Sequence, residues 1–209
     1  MDTVGPIISR MREPISRDAR LALDLALTIR HDGSGGVADD LADPAGLTAW
    51  VRAHPEVLPD TGRFAVGAAQ LTAVRELRAA VRALFARAVR PGDPSPADAA
   101  RLMPVPDAVR HLNEAAARTP TVPVLDWPEG AAPVVHRQPV RAGDALTASL
   151  AHAVIAFLAS PDRDRLRACH APRCVRYFLK EHPRQEWCRP SCGNRARVAR
   201  HHQRHKATA

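Results

Sequence analysis

Aromatic side chains are scarce in this chain. Phe, Trp and Tyr supply 4% of the residues, although hydrophobic residues as a whole supply 45%. The core must therefore be built mostly from Leu, Val and Ala, which favours helices over sheets. Long apolar runs are missing as well. The most apolar stretch, Ala145–Ala159, is interrupted by Thr147, Ser149 and His152 and is shorter than the ~20 residues of a membrane-spanning helix. Residues 1–20 mix Asp, Arg and Pro with no continuous apolar segment, so nothing there reads as a secretory signal. A soluble, cytoplasmic protein without a membrane partner is expected. The sequence also lacks a Gly-rich phosphate loop, a serine nucleophile elbow and an HExxH pair. His54, His111 and His136 stand isolated, and Asp24, Asp39, Asp40 and Asp43 read as helix caps and surface acids. No catalytic residue is assigned, and an enzyme is not expected.

Acidic charge is scarce only at the end. Residues 1–160 carry 17 Lys and Arg against 18 Asp and Glu, whereas residues 161–209 carry 13 against 4, a net of +9. The whole excess of positive charge therefore lies in the last quarter of the chain, where an anionic partner would dock.

Periodicity predicts a mainly helical protein with one small β-hairpin. Residues 1–160 form a helical N-terminal domain, and residues 161–209 a small C-terminal module. Leu21–Ile29 reads as a short helix or buried strand, followed by the loop His31–Gly36. The acidic run Asp39–Asp43 suits the start of a helix, Leu47–His54, with Trp50 on its apolar side and Pro55 closing it. The strongest helix is Phe64–Val89: Leu71, Val74, Leu77, Val81, Leu84 and Phe85 recur three or four apart, with Arg75, Glu76, Arg78 and Arg82 mainly on other faces. Ser95, Pro96 and Asp98 mark a further helix start, with a capping hydroxyl, a first-turn proline and a first-turn acid. Asp107–Ala117 makes another short helix. Two short strands around Pro128-Glu129-Gly130 predict the hairpin, limited to edge pairing by Pro123 and Pro133. Ala142–Ala159 returns to helix, with Leu146, Leu150, Val154 and Phe157 on one stripe.

Cysteine is absent from the first 168 residues, and all four cysteines then fall within 24 positions: Cys169, Cys174, Cys188 and Cys192. The pattern is Cys-x4-Cys, thirteen residues, Cys-x3-Cys. Each close pair bends the backbone around an ion and presents two thiolates, and the loop brings the pairs face to face. Borderline-soft Zn²⁺ suits such a set, and four protein ligands leave no open position for a reactive water, so the site is structural. Two disulfides or an iron–sulfur cluster could be drawn through the same residues. His170, His182, His201, His202 and His205 are nearby candidate ligands that four cysteines make unnecessary. Tyr177, Phe178 and Trp187 in the loop serve either as the module's own core or as base-stacking surfaces.

The string Trp187-Cys188-x3-Cys192-Gly193-Asn194-Arg195, with Cys169 and Cys174 upstream, resembles the CGNR zinc-finger family. In that family the finger follows a helical domain, the ABATE domain, and the proteins are described as stress-induced transcription regulators of bacteria. Leu21–Thr28, Asp40–Trp50 and Val74-Arg75-Glu76-Leu77-Arg78 look like that domain, so the resemblance covers nearly the whole chain. Two departures stand out. Leu27-Thr28 occupies a place where the family often has Asn-Thr, and Leu179-Lys180-Glu181-His182 follows Phe178 where the family often has an aspartate and a serine.

In the finger itself, Gly193 permits a tight or positive-φ turn after the last ligand, and Asn194 can cap the helix that follows. Arg195 either holds a phosphate or braces the finger against the N-terminal domain. Beyond it Arg197, Arg200 and Arg204 fall on one helical ridge, and Lys206 extends the positive charge. DNA binding through Arg195, Arg197, Arg200, Arg204 and Lys206, with Zn²⁺ as cofactor, is the expected function. A zinc-stabilised protein-interaction or RNA-binding module is the alternative. A second copy of the chain and a small-molecule effector are further candidate partners for the N-terminal domain.

Overall fold

A computed structural model describes residues 14–34, 36–55, 57, 66–98, 102–139 and 144–207, with Arg137, Pro139, Lys206 and Ala207 described in backbone alone. Six α-helices and three two-stranded antiparallel sheets make up the described chain. In order these are α1 (Arg17–Leu27), β1 (Ile29–His31), β2 (Val37–Asp39), α2 (Pro44–Arg52), α3 (Ala68–Ala88), α4 (Val105–Ala117), β3 (Thr121–Asp126), β4 (Val134–Pro139), α5 (Ala145–Ala159), a 3-10 turn (Pro161–Arg165), β5 (Leu166–Ala168), β6 (Tyr177–Leu179) and α6 (Pro190–Ala207). The architecture is the mainly helical one expected, with more small strand pairs than the single hairpin.

The core forms where α1, α3, α4 and α5 pack on one another. Its contents are the Leu, Val and Ala that the composition demands, with Phe85 and Phe157 meeting edge to face at 5.5 Å. Leu146, Leu150, Val154 and Phe157 of α5 are all buried, as their spacing predicts. Helix ends follow local chemistry. Ser16 caps α1 by accepting from the Ala19 N–H, Asp43 caps α2 by accepting from the Gly46 N–H, and Asp144 caps α5. The predicted Phe64 start of α3 lies outside the described residues.

Gly46 is needed for close approach, because a Cβ there would be driven into the Asp40 carbonyl oxygen, a backbone atom with little room to yield. Gly46→Ala is therefore expected to destabilise the protein by about 1–3 kcal/mol, net of the helix propensity that alanine adds. A urea midpoint equal to that of the parent protein would count against this reading.

In the N-terminal part, structure and sequence differ at three places. The loop His31–Gly36 is the tip of a hairpin, β1–β2, whose three-residue strands are too short to leave a periodic signal. Among the described residues Ser95 caps no helix. Residues 96–98 form a turn, the Ser95 hydroxyl donates to the Val175 carbonyl at 2.8 Å, and Asp98 is buried. Last, Arg78 and Arg82 of α3 are not on an outer face: they are 6% and 5% exposed.

Buried arginines need partners, and these two have them. The Arg78 guanidinium straddles Asp39, with Nη2 donating to Oδ2 at 2.7 Å and Nη1 donating both to Oδ1 and to the Thr28 hydroxyl. Burial alone would raise the Asp39 carboxyl. The bonds and charge of Arg78, with the Leu41 N–H and Arg75, outweigh it and hold Asp39 below the ordinary carboxylate range. Arg82 donates to Asp98 Oδ1 at 2.7 Å and to the Ala26 carbonyl at 2.6 Å.

Candidate metal centre and basic helix

The C-terminal segment enters the main core before it reaches its cysteines. Leu166, Ala168, Tyr177 and Leu179, from the β5–β6 pair, are buried among the helices of the N-terminal part. Tyr177 is fully buried, meets Phe85 edge to face at 5.5 Å, and donates its hydroxyl to Asp98 Oδ2 at 2.7 Å. Burial, with the neighbouring Asp98 charge, pushes that hydroxyl up, so it stays protonated and donating. Arg82 lies with its guanidinium carbon 5.3 Å from the Tyr177 ring and sends Nη2 to the Ser95 hydroxyl at 3.3 Å and the Val175 carbonyl at 3.4 Å. Val175 directly follows a cysteine ligand, so a buried polar network joins α3 to the metal site.

Two local devices bring the cysteines together. The first pair sits on the turn between β5 and β6, closed by Cys169 N–H to the Arg176 carbonyl at 2.9 Å and Cys174 N–H to the Ala171 carbonyl at 2.9 Å. Arg173, in that turn, has φ +63°, a conformation uncommon outside glycine. The second pair lies at the start of α6. Cys188 precedes the helix, Pro190 opens it without wasting an N–H, and Cys192 projects from its first turn.

The four sulfurs all lie within 4.8 Å of one another, with Cys174–Cys188 at 3.7 Å and Cys188–Cys192 at 3.5 Å. Sulfurs held about 2.3 Å from one tetrahedral ion stand about 3.8 Å apart, so the cage has the dimensions of a tetrathiolate zinc site. Its donor chemistry agrees. Cys174 and Cys188 pull the Cys169 thiol down to about 2, while Cys169 pushes Cys174 up to about 11 and drives Cys188 up as well. Four thiolates without a cation repel one another, and a divalent ion at their centre removes that conflict. Arg195 Nη2 donates to the Cys192 sulfur at 3.1 Å, and the backbone N–H groups of Cys188 and Ala171 at Cys169, and of Arg176 at Cys174, favour the thiolate forms. Such donors disperse thiolate charge and fix ligand direction. The cage therefore fits Zn²⁺ with all four positions filled by protein, which is a structural site and not a catalytic one.

Packing around the cage settles the aromatic residues. Phe178 is buried against the cysteines and Trp187 packs there half-buried, so these rings and Tyr177 are core. Gly193 lies inside α6, not in a positive-φ turn, and its need is spatial: a Cβ would meet the Trp187 ring carbon at 3.0 Å. Asn194 is likewise inside the helix, accepting from the Arg197 guanidinium in place of capping.

Of the five basic residues singled out by sequence, Arg195, Arg197, Arg200 and Arg204 are all exposed along α6, and Arg195 donates to the metal cage. Lys206 lies in the last turn, and its side chain is outside the described residues. His201 and His205 pair one turn apart, with ring nitrogens 3.1 Å apart. Among the isolated histidines, His54 stacks on Trp50 at 4.1 Å and faces Asp24 at 3.6 Å. The buried arginines were the residues that pattern reading missed. The available signal was Arg78 and Arg82 four apart in register with Val74, Val81 and Phe85, which places charges on a buried stripe.

Comparison with known families gives two matches. Residues 19–161 match the ABATE model, whose description reads "Putative stress-induced transcription regulator", and residues 165–205 match the CGNR zinc finger. No curated protein matches the chain. Among the described residues, no helix is long and apolar enough to cross a membrane.

Proposed function

We propose, from the fact that this chain belongs to the ABATE family of transcription regulators and ends in a CGNR zinc finger, that α6 binds duplex DNA and that the zinc cage sets its direction. The observation that carries this is the exposed ridge of Arg197, Arg200 and Arg204 on a helix whose first turn supplies a metal ligand. A helix so held is presented rigidly, and its guanidiniums form a fixed row at the pitch of successive turns.

In this mechanism, arginine contacts to phosphate supply most of the affinity, and one or two arginines read guanine edges in the major groove. Arg195, donating to the Cys192 sulfur, positions the helix and does not face the duplex. The zinc contributes fold and charge and no chemistry of its own, because its ligands are all protein.

The test is fluorescence anisotropy with duplex DNA at several salt concentrations. Affinity should fall with log salt, and Arg197→Gln/Arg200→Gln/Arg204→Gln should make the slope shallower by about 2–3 units, each lost phosphate contact being worth about 0.9. A slope unchanged by the triple substitution removes α6 from the interface. An RNA hairpin that outcompetes the duplex redirects the same helix to RNA.

A further inference from the structure

A cleft of about 210 Å³ opens between the β1–β2 hairpin and the metal-bearing turn. Among the described residues five arginines line it, Arg30, Arg173, Arg176, Arg189 and Arg195, together with His31, and no carboxylate does. Some of this charge is already answered. Arg30 pairs with Asp40 at 2.6 Å, and Arg195 donates to the Cys192 sulfur at 3.1 Å. A zinc tetrathiolate carries a net charge of about −2, which offsets part of the remainder. Arg173, Arg176 and Arg189 still have no ion-pair or hydrogen-bond partner for their guanidiniums among the described residues.

A second observation concerns His31, which stands in the wall of the cleft. The Gly33 N–H donates to His31 Nδ1 at 2.8 Å, which leaves the ring proton on Nε2. That Nε2 is buried from solvent and meets no partner among the described residues. A buried N–H left unmatched costs stability unless a ligand accepts from it. The backbone adds a third. Arg173 holds φ +63°, where glycine would sit without strain, so the chain keeps a guanidinium at a position whose conformation disfavours any side chain.

We propose that this cleft binds a phosphate group, held by the Arg173, Arg176 and Arg189 guanidiniums. Arginine forks match phosphate oxygens, and the volume takes a phosphate or pyrophosphate while being too small for a drug-sized apolar ligand. The inference is independent of α6 binding DNA. Its cleft faces the N-terminal hairpin, so an occupant would bridge the metal turn and β1. A small free anion and a backbone phosphate of a duplex present the same chemistry, and the test separates them.

The experiment is titration calorimetry of the full zinc-loaded chain with inorganic pyrophosphate, beside DNA anisotropy, on the parent and on Arg173→Gly/Arg189→Gln. Glycine accepts the backbone angle at residue 173, so the variant should keep its zinc content and melting midpoint. Should zinc be lost all the same, Arg189→Gln alone, which leaves the turn at residue 173 untouched, serves instead. Expected is one saturable site that the substitution weakens about tenfold or more. Pyrophosphate binding that the variant loses while its DNA affinity is unchanged identifies a free anion. Absence of pyrophosphate binding, with weaker DNA binding and a shallower salt slope in the variant, identifies a duplex phosphate. If pyrophosphate does not bind and the variant binds DNA like the parent, or if the variant binds pyrophosphate as tightly as the parent, the proposal is overturned.

Discussion

Removing zinc with a chelator should unravel α6 and the turns of residues 180–189 while α1, α3, α4 and α5 stay packed. The reason lies in what each part buries. The satellite cluster around the metal consists of the four cysteines with Ala171, Phe178 and Trp187, too little apolar surface to hold an 18-residue helix. Along α6 the buried side chains past Cys192 reduce to Ala196, Val198 is 56% exposed, and most of the rest is charged or polar. Structural zinc contributes an apparent ~10–16 kcal/mol to such a segment, far more than its packing can replace. The β5–β6 pair should survive, because Leu166, Tyr177 and Leu179 belong to the main core. Hydrogen exchange before and after chelation, with Cys192→Ser as a parallel, reads this directly. Amides of α6 that stay equally protected without metal would contradict it.

Asp98→Ala should cost about 3–5 kcal/mol, the largest effect expected of any single substitution outside the metal site. Asp98 is 6% exposed and receives both Arg82 and the Tyr177 hydroxyl, so its loss strands a buried guanidinium and a buried phenol together. Tyr177→Phe, which removes one bond and leaves the charge pair, should cost only about 1–2 kcal/mol. The two substitutions share a partner and should combine by less than their sum. Urea denaturation of the single and double variants measures all of this. A loss under about 1 kcal/mol for Asp98→Ala would mean that Arg82 is satisfied elsewhere.

What could be read from sequence follows from how each feature leaves its mark. The apolar stripes of α3 and α5 announce themselves because Val74, Val81, Leu150 and Val154 repeat at helical spacing over several turns. The metal ligands are legible for a different reason: cysteine has few other uses at such spacing in a chain with none elsewhere. Arg78, Arg82, Ser95 and Asp98 are not legible, since each takes its role from residues 13 to 93 positions away. A serine followed by proline and an acid satisfies the rule for a helix start. Here the same hydroxyl is spent on Val175, and local propensity gives way to a tertiary partner. Gly193 likewise looks like a turn residue until Trp187 is seen lying against it.

The placement of Tyr177 reaches beyond stability. Because the interior formed by α3 and α5 is completed by a ring from position 177, a segment made after every helix of that interior is also what finishes the hydrophobic centre. The nascent helical body therefore stays unfinished until the β5–β6 strands, which flank the first cysteine pair, have been made. Closing the core needs those strands but no metal, and zinc then orders α6.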